Sequence, residues 1–93
     1  MVECKPYYIS EKDETEEYTI ERRVFENYDP KTLFWHRDRE NRKIKLIEGN
    51  IQLQIDNKLP YHIEIDKEYF IEAMVYHRVI ANEKFIVDVY KFK

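Results

Sequence analysis

The chain has 93 residues, with 38% charged, 43% hydrophobic and 15% aromatic side chains and a formal net charge of −3. That length supports one domain with one modest core, and the aromatic content is opposite to the signature of disorder. No uncharged apolar run approaches the ~18 residues of a membrane-spanning helix, and a lone Cys4 excludes an internal disulfide or a cysteine-rich zinc ribbon. Gly49 is the only glycine, so glycine-rich phosphate loops are excluded too.

Met1-Val2-Glu3-Cys4-Lys5 has neither the basic nor the apolar region of a secretory signal. With one unpaired cysteine, this reads as a reducing, cytoplasmic setting. Ser10–Glu17 is acidic and reads as a solvated turn or loop, or as a short helix capped by Ser10. The domain reading is therefore a partly acidic N-terminal segment over 1–17 and a barrel over 18–92, in one domain spanning 1–93.

Tyr18–Phe25 is rich in β-branched and aromatic residues and predicts a strand. Asn27–Lys31 carries turn chemistry, with φ set by Pro30. Thr32–His36 reads as a second strand, and the charged Arg37–Asn41 as a connection. Ile44, Leu46 and Ile47 follow, ending at the turn Glu48-Gly49-Asn50. Ile51–Ile55 alternates apolar residues with Gln52 and Gln54, and Tyr61–Ile65 alternates again beyond the turn 56–60. Tyr69–Ile71, Tyr76–Ile80 and Lys84–Phe92 complete the series, the last two joined by a turn at 81–83. Seven or eight short strands at this spacing predict an all-β, antiparallel sandwich or barrel.

Three histidines are present. His62 alternates with apolar neighbours beside Glu64 and reads as solvent-exposed. His36, in Trp35-His36-Arg37-Asp38…Arg42, and His77, in Tyr76-His77-Arg78-Val79-Ile80, stand about 40 residues apart. This order of strands and histidine segments resembles the small single-domain cupins, proteins built on a double-stranded β-helix. It is most similar to short, unassigned cupin-like (RmlC-like) proteins, some from tailed bacteriophages, and Gln52–Pro60 shares the likeness.

Counting back from Gly49 places His36 at the first histidine of the first cupin motif, Asp38 at the second and Arg42 at its glutamate. Counting back from His77 places Met74, Glu72 and Asp66 at the glycine, proline and glycine of the second motif, which keeps only its histidine.

The resemblance implies a barrel interior lined by these residues, and leaves two functions open. In one, Arg42, His36 and His77, with Gln52 and Gln54 if they face inward, bind a small polar or anionic ligand without metal or turnover, or the domain binds a protein partner. In the other, His36, Asp38 and His77 hold one divalent metal (Fe, Mn, Ni or Zn), and the protein is a small-molecule enzyme. Arg42 argues against the metal: a guanidinium 5 Å from a divalent ion costs about 6–7 kcal/mol at an effective dielectric constant of 20. Glu40 turning inward would restore a carboxylate, whereas an Arg42–Asp38 pair would replace the metal. The facing of Gln52 and Gln54 stays open, since Ile51, Leu53 and Ile55 can pack against a second sheet or a partner subunit.

The resemblance also implies a homodimer, and a phage-encoded member would work in the host cytoplasm. Five cations over Arg37–Lys45 beside Phe34 and Trp35 suggest a nucleic-acid patch, but the net negative charge argues against it. Ser10 is the only serine, and Cys4 has no assigned base, so a nucleophilic enzyme is not indicated.

Overall fold

A computed structural model describes residues 6–93; Cys4 and the start of the chain lie outside them. The described residues form eight strands and one 3-10 turn, all strand pairings between them antiparallel. The strands are β1 (Tyr8–Glu14), β2 (Tyr18–Phe25), β3 (Arg42–Glu48), β4 (Gln52–Ile55), β5 (Tyr61–His62), β6 (Glu68–Ile71), β7 (His77–Ile80) and β8 (Phe85–Phe92). They build a five-stranded sheet in the order β1-β2-β8-β3-β6 and a three-stranded sheet in the order β5-β4-β7. The expected all-β architecture is therefore the one observed. No helix among the described residues is long and apolar enough to cross a membrane.

Alternation along the strands explains how the sheets close over one core. In β8, Phe85, Val87 and Val89 turn inward, and in β3, Ile44 and Leu46 do so. Leu53 of β4 meets them from the smaller sheet, fully buried. Phe25 stacks on Phe85 with ring centroids 4.2 Å apart and planes 11° apart. Such a pair adds roughly 0.5–1.5 kcal/mol beyond the burial of its area. Gly49, at φ +108°, lets β3 turn toward β4, where a Cβ would lie 2.7 Å from Phe85 Cβ and 2.8 Å from the Lys84 carbonyl oxygen. No other residue type fits there without displacing backbone.

Three segments depart from the expectation. Most of Ser10–Glu17 is strand rather than loop or helix: β1 runs to Glu14 and pairs with β2, and only Thr15–Glu17 turns. An edge strand exposed along its whole length tolerates charge, because its ladder needs backbone groups and not apolar side chains. Glu11, for instance, lies 3.7 Å from Arg22 of β2. Thr32–His36 is not a strand; Asp29 caps the 3-10 turn Pro30–Thr32, and only His36 makes a β-bridge. Tyr61–Ile65 is a strand only at Tyr61–His62. Beyond it Ile63 N–H still donates to Ile51, but Asp66 N–H donates to Leu46, so the chain leaves the smaller sheet for the larger.

Candidate functional site

Two distant segments meet at one end of the barrel. His36 and His77 form an antiparallel bridge, His36 N–H donating to the His77 carbonyl at 3.0 Å and His77 N–H to the His36 carbonyl at 2.9 Å. A pair that exchanges both bonds presents its two side chains on the same face, and the imidazole centroids lie 4.2 Å apart. Asp38 follows by the same alternation. Its backbone is held by Met74, whose N–H donates to the Asp38 carbonyl at 2.7 Å from a left-handed turn at φ +66°.

The ring orientations are set by backbone. His36 Nδ1 lies 2.9 Å from the Phe34 carbonyl oxygen, and His77 Nδ1 lies 2.9 Å from that of Val75. A carbonyl only accepts, so Nδ1 carries the proton in each ring and the neutral ring keeps its lone pair on Nε2. Both Nε2 atoms face one oxygen: Asp38 Oδ2, 3.3 Å from His77 and 3.9 Å from His36. Oδ2 is buried and accepts no hydrogen bond. Burial works to raise the Asp38 pKa, but a hydrogen bond from His77 and the charges of Arg42 and His36, the histidine contributions requiring protonated rings, outweigh it and hold the carboxyl below its ordinary value. The result is three lone-pair donors aimed at one point, with no proton among them when both rings are neutral.

Arg42, at the start of β3, completes the cluster. Its Nη1 lies 3.3 Å from Asp38 Oδ1, while Nη2 and Nε reach Glu40 Oε1 at 2.8 and 3.0 Å. Arg42 therefore does pair with Asp38, but through the oxygen turned away from the histidines. Its charge is shared between two carboxylates, which weakens the repulsion expected of a bare guanidinium. Glu40 is engaged by Arg42 and stands outside the donor group, which among the described residues is His36, Asp38 and His77, their ligand atoms within 4.8 Å of one another. Two donors on one ion at about 2.1 Å lie roughly 3.0–3.4 Å apart. The His77–Asp38 pair already meets that spacing, and His36 needs an ångström-scale shift.

The cluster opens into a cavity of about 420 Å³ in the barrel interior, within the usual range for small-molecule sites. His36, Asp38, Arg42 and His77 all line it. Gln52 and Gln54 do not: β4 turns Leu53 inward, Gln54 Oε1 accepts from Arg78 Nε at 2.8 Å, and Gln52 lies 3.5 Å from exposed His62. Reading the glutamines into the cavity is thus set aside by the parity of the strand. The cation run is likewise divided, with Arg42 turned into the cavity and Lys43 outward to Glu68 at 2.6 Å.

Sequence reasoning missed Glu21, Arg23 and Lys91, although their parity marks them. Arg23 alternates with inward Phe25, and Lys91 with inward Val89. Arg23 and Lys91 line the cavity, and both bond Glu21, which burial would push up in pKa but which Arg23 and Lys91 hold below its ordinary value.

No family model and no curated protein sequence matches this chain. Solved structures do. A cupin-2 domain protein from Shewanella frigidimarina is 15% identical, with a TM-score of 0.73 over 100% of this chain and 85% of that one. An RmlC-like cupin from Methanocaldococcus jannaschii, described as a double-stranded β-helix, is 15% identical, with a TM-score of 0.72 over 96% and 82%. Hydroxypropylphosphonic acid epoxidase from S. wedmorenis is also 15% identical, with a TM-score of 0.66 over 81% of this chain but 43% of that one. At such identities the likeness is one of fold. The chain is a small, antiparallel double-stranded β-helix of the cupin type.

Proposed function

We propose that the protein binds one divalent metal ion through His36 Nε2, His77 Nε2 and Asp38 Oδ2, and receives a small anionic molecule in the cavity beside it. One observation carries this reading: a buried Asp38 Oδ2 with no hydrogen bond faces two imidazole nitrogens whose opposite nitrogens already bond backbone. A buried charged acceptor without a partner is costly, and a cation at this point removes that cost.

Two imidazoles and one carboxylate suit Fe(II), Mn(II), Ni(II) or Zn(II) with open positions; a bound ion would supply Lewis acidity and sites for an oxygen ligand. The protein's own part is to orient the rings through the carbonyls of Phe34 and Val75, and to hold Asp38 through Arg42. Such outer contacts fix the tautomer and direction of each ligand.

Titration of chelator-stripped protein with Co(II), read by the visible absorption of the bound ion, tests the proposal. The expected result is saturation near one ion per chain, lost in His77→Ala. Absence of saturable binding, with elemental analysis below about a tenth of an equivalent, sinks it.

A second reading, that the loaded site turns over a small acid, is favoured by the fold shared with hydroxypropylphosphonic acid epoxidase (HppE), of which Fe(II) and Co(II) structures are solved. Metal-dependent consumption of a small acid, absent in His77→Ala, is its test.

A further inference from the structure

The cavity has two chemically different ends. At the mouth, Arg42 of β3 and Lys91 of β8 are direct partners across the antiparallel ladder, and both line the cavity. Like charges directly opposed on one sheet face destabilise the pairing, so an uncompensated pair would not be expected there. The compensation falls unevenly, two carboxylates on Arg42 but only one shared by Lys91 and Arg23. Lys91 Nζ has three donors and a single partner among the described residues, Glu21 Oε2 at 3.3 Å. The carboxylates around them are engaged, Glu21 by Arg23 and Lys91, and Glu40 by Arg42. Lys91 Nζ therefore keeps donors to spare, while the acceptors His36 Nε2, His77 Nε2 and Asp38 Oδ2 face one another beside it.

Deeper in, the walls are hydrocarbon. Ile44, Leu53, Ile71, Val79, Val87 and Val89 line the space from both sheets. A small, fully polar anion satisfies the mouth and leaves this wall against water. An apolar molecule covers the wall and leaves the donors unused.

We infer that the ligand is an amphipathic monocarboxylate, its head group held by Lys91 beside the charge of Arg42 and its hydrocarbon body laid against the apolar wall. A carboxylate accepts from the spare Nζ donors of Lys91 beside the positive charge of Arg42, whose own N–H groups stay on Asp38 and Glu40. The three lining or adjoining carboxylates Glu21, Asp38 and Glu40 oppose a more highly charged head. This inference rests on the reading of the cavity as a ligand site and names the class of ligand, but does not require the metal.

Calorimetric titration with acetate, butyrate, hexanoate and hexylamine tests it, on chelator-stripped and on Zn²⁺-loaded protein. Hexanoate is expected to bind about tenfold tighter than butyrate, as two further buried methylenes predict. Hexylamine, with the same body and the opposite charge, is expected not to bind measurably. Lys91→Gln should weaken hexanoate binding about tenfold while chain length still governs affinity. As a fold control, its circular dichroism and Zn²⁺ uptake should be retained.

Equal affinity for acetate and hexanoate, or binding of hexylamine as tight as hexanoate, overturns the inference. So does an unchanged hexanoate affinity in folded Lys91→Gln. Zn²⁺ uptake without hexanoate binding overturns this inference and leaves the metal site standing. Hexanoate binding without Zn²⁺ uptake upholds it and removes the metal.

Discussion

His36 and His77 exchange both of their backbone hydrogen bonds, and each spends its Nδ1 proton on a carbonyl two residues before it in the chain. The backbone thus places the two rings and also chooses their tautomer, leaving both Nε2 atoms turned toward Asp38 Oδ2. The two rings are oriented by main chain, whereas Asp38 is held by the Arg42 side chain. The two histidines nevertheless differ in depth: His77 is 4% exposed, whereas His36 is exposed at the cavity mouth.

That difference predicts unequal consequences of mutation. In the wild type, Zn²⁺ at a hundredfold excess over its Kd should add about 2.7 kcal/mol to stability. His77→Ala should abolish this increment and lower metal-free stability by ~1–2 kcal/mol, as for an ordinary buried truncation. His36→Ala should also abolish the increment, but with a metal-free cost near zero. Thermal melts with and without Zn²⁺ separate the two terms, and an increment surviving in both variants contradicts the donor set.

Glu21 should shape the acid limb of stability. Burial opposes its ionisation, yet Arg23 and Lys91 hold its folded-state pKa below that of the unfolded chain. Such a group contributes stability above the unfolded value, ~4.3, and loses the contribution as pH falls through the lower, folded value. Glu21→Gln should therefore destabilise at pH 7 by ~1–3 kcal/mol and flatten the decline below pH 4–5. Urea midpoints between pH 7 and pH 3 read both effects, and parallel pH profiles for variant and wild type contradict the assignment.

Gly49→Ala should destabilise by roughly 2 kcal/mol or more, since it combines an unfavourable φ with backbone overlap at Lys84 and Phe85. Metal affinity of the folded fraction should stay unchanged, because the β3–β4 turn lies at the end of β3 opposite Arg42. Chemical denaturation beside Co(II) titration checks the two halves of this statement.

The parity of β4 predicts a contrast between neighbours. Leu53→Ala removes a fully buried side chain from the shared core and should cost ~2–5 kcal/mol. Gln54→Ala, on the outer face, should cost less than ~1 kcal/mol, for a hydrogen bond to Arg78 in a partly exposed position. Comparable costs for the two would mean that the strand is turned the other way.

Much of the fold is legible in local pattern. The alternations at Ile51–Ile55 and Lys84–Phe92 and the β-branched run Tyr18–Phe25 are strands because periodicity of two matches a surface buried on one side. The histidine segments were also visible, and His36, Asp38 and His77 do converge. Ser10–Glu14 was not legible: an exposed edge strand is held by backbone bonds to β2, which leave no apolar signature in its own residues.

By itself, then, the amino-acid sequence determined the class of fold and the strands at Tyr18–Phe25, Ile51–Ile55 and Lys84–Phe92, since these depend on local periodicity, while the resemblance to cupin motifs singled out His36, Asp38 and His77. Only the tertiary structure decided which Asp38 oxygen meets Arg42 and which meets the histidines, that Leu53 rather than the glutamines faces the cavity, and that Lys91 stands beside Arg42. Those outcomes follow from register between strands far apart in the chain, where a shift of one residue reverses every side chain.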